Sequence, residues 1–220
     1  MKFRLPALSL PLLTTFCFAL LFGGCASSMR PMQKDAYTYE RSRDTATGLA
    51  YEYKFNVLEE TGNDVYAEKA REHGVDIAAV KVTNHTDKEI DVHNDLDIYV
   101  GGAQRSPTSP KVALLNVRQR TGLYCLYLLM LPVNGYKTEV TCDGYNGCSQ
   151  SSSFFPIGII LGPLLTLINT VMASTANEGV MKEISDNNLD GMKIKPGATA
   201  TGYLVFFGAG SGALQIKLRK

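Results

Sequence analysis

A run of 20 residues without a charged side chain, from Phe154 to Ala173, constrains the fold of this chain most strongly. A helix of that length is about 30 Å long, which matches the hydrocarbon core of a bilayer. Strand-like patterns lie on both sides of the run, so a single crossing here would separate the two halves of one β domain. We therefore expect the run to belong to the fold and not to cross a membrane.

Breaks within the run favour its division into two elements. Gly158, Gly162 and Pro163 break the run near its middle. We interpret residues 154–161 as an apolar loop or strand. Pro163 then occupies the favoured first position of a helix that extends to about residue 185. Apolar residues follow one stripe of this helix at spacings of three and four: Leu165, Ile168, Met172, Ala176, Val180 and Ile184.

Apolar stripes of this kind are mostly buried in a protein core, so we expect the inserted segment 154–186 to pack over an open face or end of the β domain. The alternative is that residues 154–167 dip into the outer leaflet of a membrane or dock on a membrane partner.

The rest of the chain is typical of a mainly β fold, because short apolar or alternating segments are separated by turn residues. A short surface helix is predicted at about 64–73, ended by Gly74. The Asn134-Gly135 pair predicts a hairpin turn. The predicted strands cover residues 37–40, 49–58, 75–83, 90–92, 96–100, 112–117, 124–131, 138–140, 199–207 and 213–218. We expect a single antiparallel sandwich domain over residues 37–220.

Two separate pieces resemble the immunoglobulin-like domains of exported bacterial proteins. One is the strand end Val80–Thr86, with the pattern valine-x-valine-x-asparagine. The other is the Pro196-Gly197 turn followed by the glycine-led strand Gly202–Phe207. The resemblance implies an immunoglobulin-like sandwich and carries no implication about activity.

The amino terminus has the layout of an export signal. Lys2 and Arg4 precede a charge-free stretch over residues 5–22, and two glycines follow it. The stretch Phe22-Gly23-Gly24-Cys25 resembles the lipobox of bacterial lipoproteins. The alternative is an ordinary secretory signal that is cleaved nearby.

The lipobox resemblance implies that residues 1–24 are a signal peptide and that Cys25 carries acyl chains. It also implies an outer-membrane location, because Ala26 and Ser27 lack the aspartate that retains such proteins at the inner membrane. Whether the domain faces the periplasm or the cell surface stays open. Residues 25–36 are the expected lipidated end and flexible tether.

Three cysteines remain after Cys17 is removed with the signal and Cys25 is acylated. Cys142 and Cys148 enclose a short loop with two glycines, so an oxidising compartment favours their disulfide. Cys125 with Cys142 is the rival pairing, since the two could flank the Asn134-Gly135 turn. The leucines around Cys125 are typical of an unreactive thiol and do not favour a catalytic cysteine.

The sequence offers no strong catalytic, cofactor or metal motif. Asp91, His93, Asp95 and Asp97 alternate along one stretch, yet they lack the glycine turn and terminal glutamate of an EF-hand loop. The glycine-rich segment 208–212 lies between two predicted strands, so no helix follows it to bind a phosphate. Basic and acidic residues are nearly balanced, at 22 and 21, which does not favour a nucleic-acid surface.

These observations together predict a non-enzymatic outer-membrane lipoprotein that serves as a binding or envelope-assembly module. Its contact surfaces for an envelope protein would be strand edges and the loops 101–110 and 142–153. The alternative is a lipid or small-ligand carrier in which residues 154–172 line a cavity.

Overall fold

The structure, a computed structural model, describes residues 25–34, 36–44, 48–143, 147–210 and 212–219. The expected signal peptide 1–24 lies outside the described residues. Two compact units make up the described chain: unit 1 contains residues 25–27 and 120–174, and unit 2 contains residues 28–119 and 175–219. The single domain expected over 37–220 is therefore divided, because the contacts of residues 120–174 are mostly with one another.

The strands, in chain order, are β1 (Glu40–Asp44), β2 (Leu49–Lys54), β3 (Val75–Asn84), β4 (Ile90–Asp91), β5 (Leu96–Val100), β6 (Ala103–Gln104), β7 (Gly135–Asp143), β8 (Gly147–Phe155), β9 (Lys193–Ile194), β10 (Thr199–Phe207) and β11 (Leu214–Leu218). The helices are α1 (Val57–Glu60), α2 (Asp64–Glu72), α3 (Val92–Asp95), α4 (Pro110–Val117) and α5 (Ile157–Asp186), with a 3₁₀ helix over Thr121–Met130.

The described part of unit 2 contains three sheets: a short one in which β4 pairs with β9, and two larger sheets that share a core. The larger sheet is antiparallel with the order β1-β2-β3-β10, and the smaller has the order β11-β5-β6. Alternate side chains of each strand point to the same face, so each sheet presents one apolar face to the other. The core between them includes Tyr51, Val80, Ile98, Leu204 and Ile216, each at most 4 % exposed.

Helices cover the opposite face of the larger sheet. A second core joins Ile77, Tyr203 and Val205 of the sheet to side chains of α1, α2, α4 and the end of α5. β3 and β10 are buried on both faces, which explains their nearly continuous apolar sequences. The mainly β expectation is thus corrected: the chain combines antiparallel sheets with a comparable amount of helix.

Several predicted elements are present, with shifted ends in some cases. The strands predicted at 75–83 and 199–207 are confirmed as β3 and β10, and the helix predicted at 64–73 is confirmed as α2. Gly74, which follows α2, has a φ of 62°, a left-handed value that glycine adopts without strain.

Three predicted strands are wrong. The strand predicted at 37–40 is absent over 37–39, since β1 begins only at Glu40. The other two predicted strands are helical. Residues 112–117 lie in α4, which begins at Pro110, and residues 124–131 lie almost entirely in the 3₁₀ helix. A short apolar run fits a buried strand and a buried helix equally well, and its periodicity does not separate them. The expected hairpin also differs, because β7 pairs with β8, and the expected loop 142–153 is largely strand.

The amino-terminal segment expected as a tether is packed on unit 2 from residue 28 onward. Met32 is 3 % exposed and lies in the core on the helical side of the larger sheet. The backbone of Arg30 forms two hydrogen bonds with the Asn63 side chain, and the Tyr203 hydroxyl donates to the Met32 carbonyl. The segment packs because Met29 and Met32 are apolar side chains that are stabilised by burial. A flexible tether would have few such side chains.

The apolar helix is longer than expected, and its stripe is divided between two environments. α5 begins at Ile157 and contains Pro163 in its interior, instead of beginning at that proline. Ala176, Val180 and Ile184 are buried in unit 2, as the packing hypothesis requires. Ile168, on the same stripe, lies in unit 1 and is 45 % exposed.

Candidate functional site: the apolar unit that carries Cys25

Cys25 belongs to unit 1, where the residue after it is fixed to α5. The backbone N–H of Ala26 donates to Oδ1 of Asn169 at 2.6 Å, and Nδ2 of Asn169 donates to the Leu165 carbonyl at 2.8 Å. Asn169 is 4 % exposed and Ala26 is 8 % exposed. The Tyr127 hydroxyl interacts with the Cys25 side chain, which is itself exposed and free of a disulfide. The predicted lipidation residue is therefore held against the apolar part of α5.

Glycines allow the 3₁₀ helix and α5 to approach closely. A Cβ atom on Gly158 would lie 1.8 Å from the Met130 carbonyl oxygen, and one on Gly162 would lie 2.9 Å from the Tyr127 carbonyl oxygen. One turn further on, the Thr166 hydroxyl donates to the Tyr124 carbonyl at 3.1 Å. Contacts between small residues and backbone at a spacing of four are typical of helix packing in membranes.

The outer surface of this helix pair is apolar and exposed. The 14 large apolar residues of the pair and its connection that are at least 37 % exposed are Leu123, Leu126, Leu128, Leu129, Leu131, Ile157, Ile159, Ile160, Leu161, Leu164, Leu167, Ile168, Val171 and Met172. Large exposed apolar patches are typical of surfaces that contact a membrane or a protein partner. Residues 154–172, expected in the carrier hypothesis to line a cavity, are for the most part exposed instead.

A polar hairpin connects the 3₁₀ helix to α5. β7 and β8 pair from Gly135 with Phe155 to Asp143 with Gly147, and their described side chains are almost all exposed. Cys142 and Cys148 form a disulfide across the two strands, the pairing that the sequence favours, and Cys125 is a free, exposed cysteine of the 3₁₀ helix. At the base of the hairpin, the ring centroids of Tyr136 and Phe154 lie 5.2 Å apart.

The alternating aspartates considered for a metal site serve local structure in unit 2. Asp91 caps α3, because its side chain accepts from the N–H groups of His93 and Asn94. Hydrogen bonds from Asn94 are the main cause that lowers the pKa of Asp91 below its usual value. His93 also contacts Asp190, with Nδ1 and Oδ1 2.9 Å apart.

Asp95 and Asp97 likewise have protein partners. Oδ2 of Asp95 accepts the Asp91 N–H at 2.8 Å, and Oδ1 of Asp97 accepts from Nε of Arg219 at 2.9 Å. Within the described part of the chain, no three histidine, cysteine, aspartate or glutamate side chains form a group that could hold a metal ion.

The glycine-rich segment after β10 has an internal partner for its N–H groups. Oδ2 of Asp76 accepts from the backbone N–H groups of Ala209 and Gly210, at 3.0 and 2.9 Å. The carboxylate therefore occupies the place that a phosphate would need.

The contact roles of Asn169, Gly158 and Gly162 were not predicted from the sequence. A signal was present: Gly158, Gly162 and Thr166 repeat small residues at intervals of four, the spacing that brings them to one helix face. The partner of that face, the stretch 121–130, could not be identified while it was interpreted as a strand.

No family model, curated protein or solved structure matches this chain. Within the described residues, α5 is long and apolar enough to cross a membrane by length and composition.

Proposed function

We propose that the chain is a lipid-anchored outer-membrane protein without enzymatic activity. In this proposal, unit 1 embeds in the bilayer beside the acyl chains of Cys25. Unit 2 serves as a binding or assembly module for a protein of the cell envelope. The hydrogen bond between Ala26 and Asn169 carries the proposal, because it supports a position of Cys25, the residue that we propose to be lipidated, beside the exposed apolar helix pair.

An exposed apolar unit beside an acylated residue would add to the attachment made by the acyl chains. Each buried methylene of those chains contributes about 0.8 kcal/mol, so two or more chains already anchor the protein stably. An apolar helix pair next to Cys25 supplies a second attachment at the same place.

We retain the immunoglobulin-like sandwich as a proposal for the two packed sheets of unit 2. The face-to-face packing of an antiparallel four-stranded and three-stranded sheet supports it. The division of β10 and β11 between different sheets departs from that pattern, in which the last two strands pair.

Labelling with radioactive palmitate in a Gram-negative host tests the anchor. We expect the wild-type chain to incorporate palmitate and Cys25→Ala to incorporate none. Incorporation that persists in Cys25→Ala would refute lipidation at this residue.

Vesicle flotation tests the second attachment. Residues 26–220, made without the signal and therefore without acyl chains, should float with vesicles of phosphatidylethanolamine and phosphatidylglycerol. Ile160→Lys should lower the partition coefficient about 100-fold, because a lysine at the centre of an inserted helix costs about 2.5–3.5 kcal/mol.

Val112→Lys is the matched control for flotation, since Val112 of α4 in unit 2 is 55 % exposed and Ile160 is 57 % exposed. The control should bind as the unsubstituted chain does. Equal effects of the two lysines, or no flotation of residues 26–220, would contradict insertion of unit 1.

A further inference from the structure

We propose that unit 1 crosses the bilayer twice and exposes the β7–β8 hairpin on the membrane face opposite Cys25. The first crossing is the 3₁₀ helix, and the second is the part of α5 from Ile157 to Ser174. This inference rests on the proposed function, in which unit 1 is embedded in lipid.

The chain leaves unit 2 and returns to it at one place. The N–H of Gln119 donates to Oδ1 of Asn177 at 2.7 Å, and Nδ2 of Asn177 donates to the Gln119 carbonyl at 2.9 Å. A hairpin that starts and ends there returns to the side from which it entered. The objection to a crossing at 154–173 is thereby removed, because residues 121–130 supply a crossing in the opposite direction.

The apolar length agrees with a full crossing. From Asn169, beside Cys25, to Ile157 the helix rises by about 18 Å at about 1.5 Å per residue. The base of the hairpin, Gly135-Tyr136 opposite Phe154-Phe155, adds about 7 Å at about 3.3 Å per residue. The sum of about 25 Å equals the apolar band of outer-membrane barrels.

The distribution of charge favours a crossing over a dip into one leaflet. Unit 1 has no charged residue at 121–136 or 144–174, whereas Lys137, Glu139 and Asp143 all lie in β7. A dip of half the bilayer, about 15 Å, would leave the side chains of Lys137 and Glu139 in hydrocarbon. A full crossing delivers them to water.

Backbone hydrogen bonding agrees with the same placement. At the junction between the helices, Val133 N–H donates to the Met130 carbonyl and Gly158 N–H to the Val133 carbonyl, both at 2.8 Å. In the described chain, β7 and β8 pair only with each other, so each has an unpaired edge. Open edges are not tolerated in hydrocarbon, which requires the hairpin to lie in water.

Aromatic side chains lie where the apolar pair meets the polar hairpin. Tyr136 and Phe155 are exposed by 75 % and 48 %, and Tyr136 contacts Phe154. Tyrosine is enriched at membrane–water interfaces, so this level corresponds to the second interface.

A doubly labelled chain tests the topology whatever its orientation in the vesicle. The acylated Cys125→Ser protein, with Ser106→Cys in unit 2 and Ser151→Cys in β8, is reconstituted in sealed phospholipid vesicles. A membrane-impermeant PEG-maleimide should then add one PEG per chain, and two after detergent. If unit 1 crosses the bilayer twice, the two cysteines face opposite sides in every molecule. Only one of them can then react with the reagent before detergent is added.

The control pairs Ser106→Cys with Ser109→Cys, both exposed in unit 2, and should give chains with no PEG or two. If the variant with Ser106→Cys and Ser151→Cys also gives chains with no PEG or two, the double crossing is overturned and membrane attachment is left intact. Failure of the protein to enter vesicles at all would instead contradict the proposed function.

A depth profile gives a second reading, since the chain contains no tryptophan. Single tryptophans at Ile157, Leu161 and Leu167 report depth through quenching by lipids brominated at different carbons. Two crossings predict the deepest signal at Leu161, about 12 Å from Asn169 along the helix. A signal that deepens steadily from Leu167 to Ile157 would indicate a dip into one leaflet and overturn the proposal.

Discussion

At the scale of single residues, the helix pair of unit 1 depends on side chains that are small or polar. Gly158 and Gly162 remove side chains where backbone meets backbone, and Asn169 accepts the N–H that follows Cys25. In a hydrocarbon environment, apolar side chains give no preference for one another over lipid. Close backbone packing and hydrogen bonds then provide the specificity of the contact.

Gly158→Ala should therefore destabilise the pair. Its methyl group would lie 1.8 Å from the Met130 carbonyl oxygen, so backbone must move. Overpacking costs about 1–3 kcal/mol, and a backbone obstacle puts this substitution at the upper end. Thermal unfolding in detergent, followed by circular dichroism, measures the change.

Gly122→Ala is the control, because a Cβ atom at Gly122 meets nothing within 4 Å. Its melting temperature should stay close to that of the unsubstituted protein. A Gly158→Ala protein that is as stable as this control would show that the helix pair is not packed through Gly158.

At the scale of elements, α5 serves two environments with one apolar stripe. Ile184 is fully buried in unit 2, and Ile168 is 45 % exposed in unit 1. The stripe can be recognised in the sequence. The sequence does not show that the two ends of the stripe have different surroundings, because Ile168 and Ile184 follow the same spacing. Only the contacts of each turn distinguish core from surface.

Ile184→Ala and Ile168→Ala make the same chemical change at the two ends of that stripe. The first should lower the free energy of unfolding by about 2–5 kcal/mol, because it removes buried atoms and leaves a cavity. The second should leave the denaturant midpoint of unit 2 unchanged. Similar effects of the two substitutions would contradict the division of α5.

At the scale of the whole molecule, unit 2 should fold without unit 1. Gln119 and Asn177 meet through two hydrogen bonds, so a short linker can connect the two parts of unit 2. A chain of residues 28–119 and 175–220, joined by about five Gly and Ser residues, should be folded and monomeric without detergent.

The full-length protein is the comparison and should need detergent or lipid to stay in solution. A cooperative melt of the joined chain, monitored by circular dichroism, would agree with an independent unit 2. An unfolded or aggregated product would show that unit 1 contributes to the core of unit 2.

The sequence by itself determined the local elements with clear periodicity or punctuation. β3 and β10 followed from long runs of β-branched, aromatic and other apolar residues, and α2 followed from its stop at Gly74. The closeness of Cys142 and Cys148 likewise follows from their short separation. The lipidation of Cys25 is still a sequence-based prediction, which the palmitate experiment tests.

Only the tertiary structure showed what packs beside the charge-free run. Residues 121–130 fit a strand or a helix equally well, so their pairing with Ile157–Ser174 was not visible in the pattern. From the run alone we rejected a single crossing, because it would divide the β domain. An apolar segment's role depends on what packs beside it, and that contact joins residues far apart in the chain.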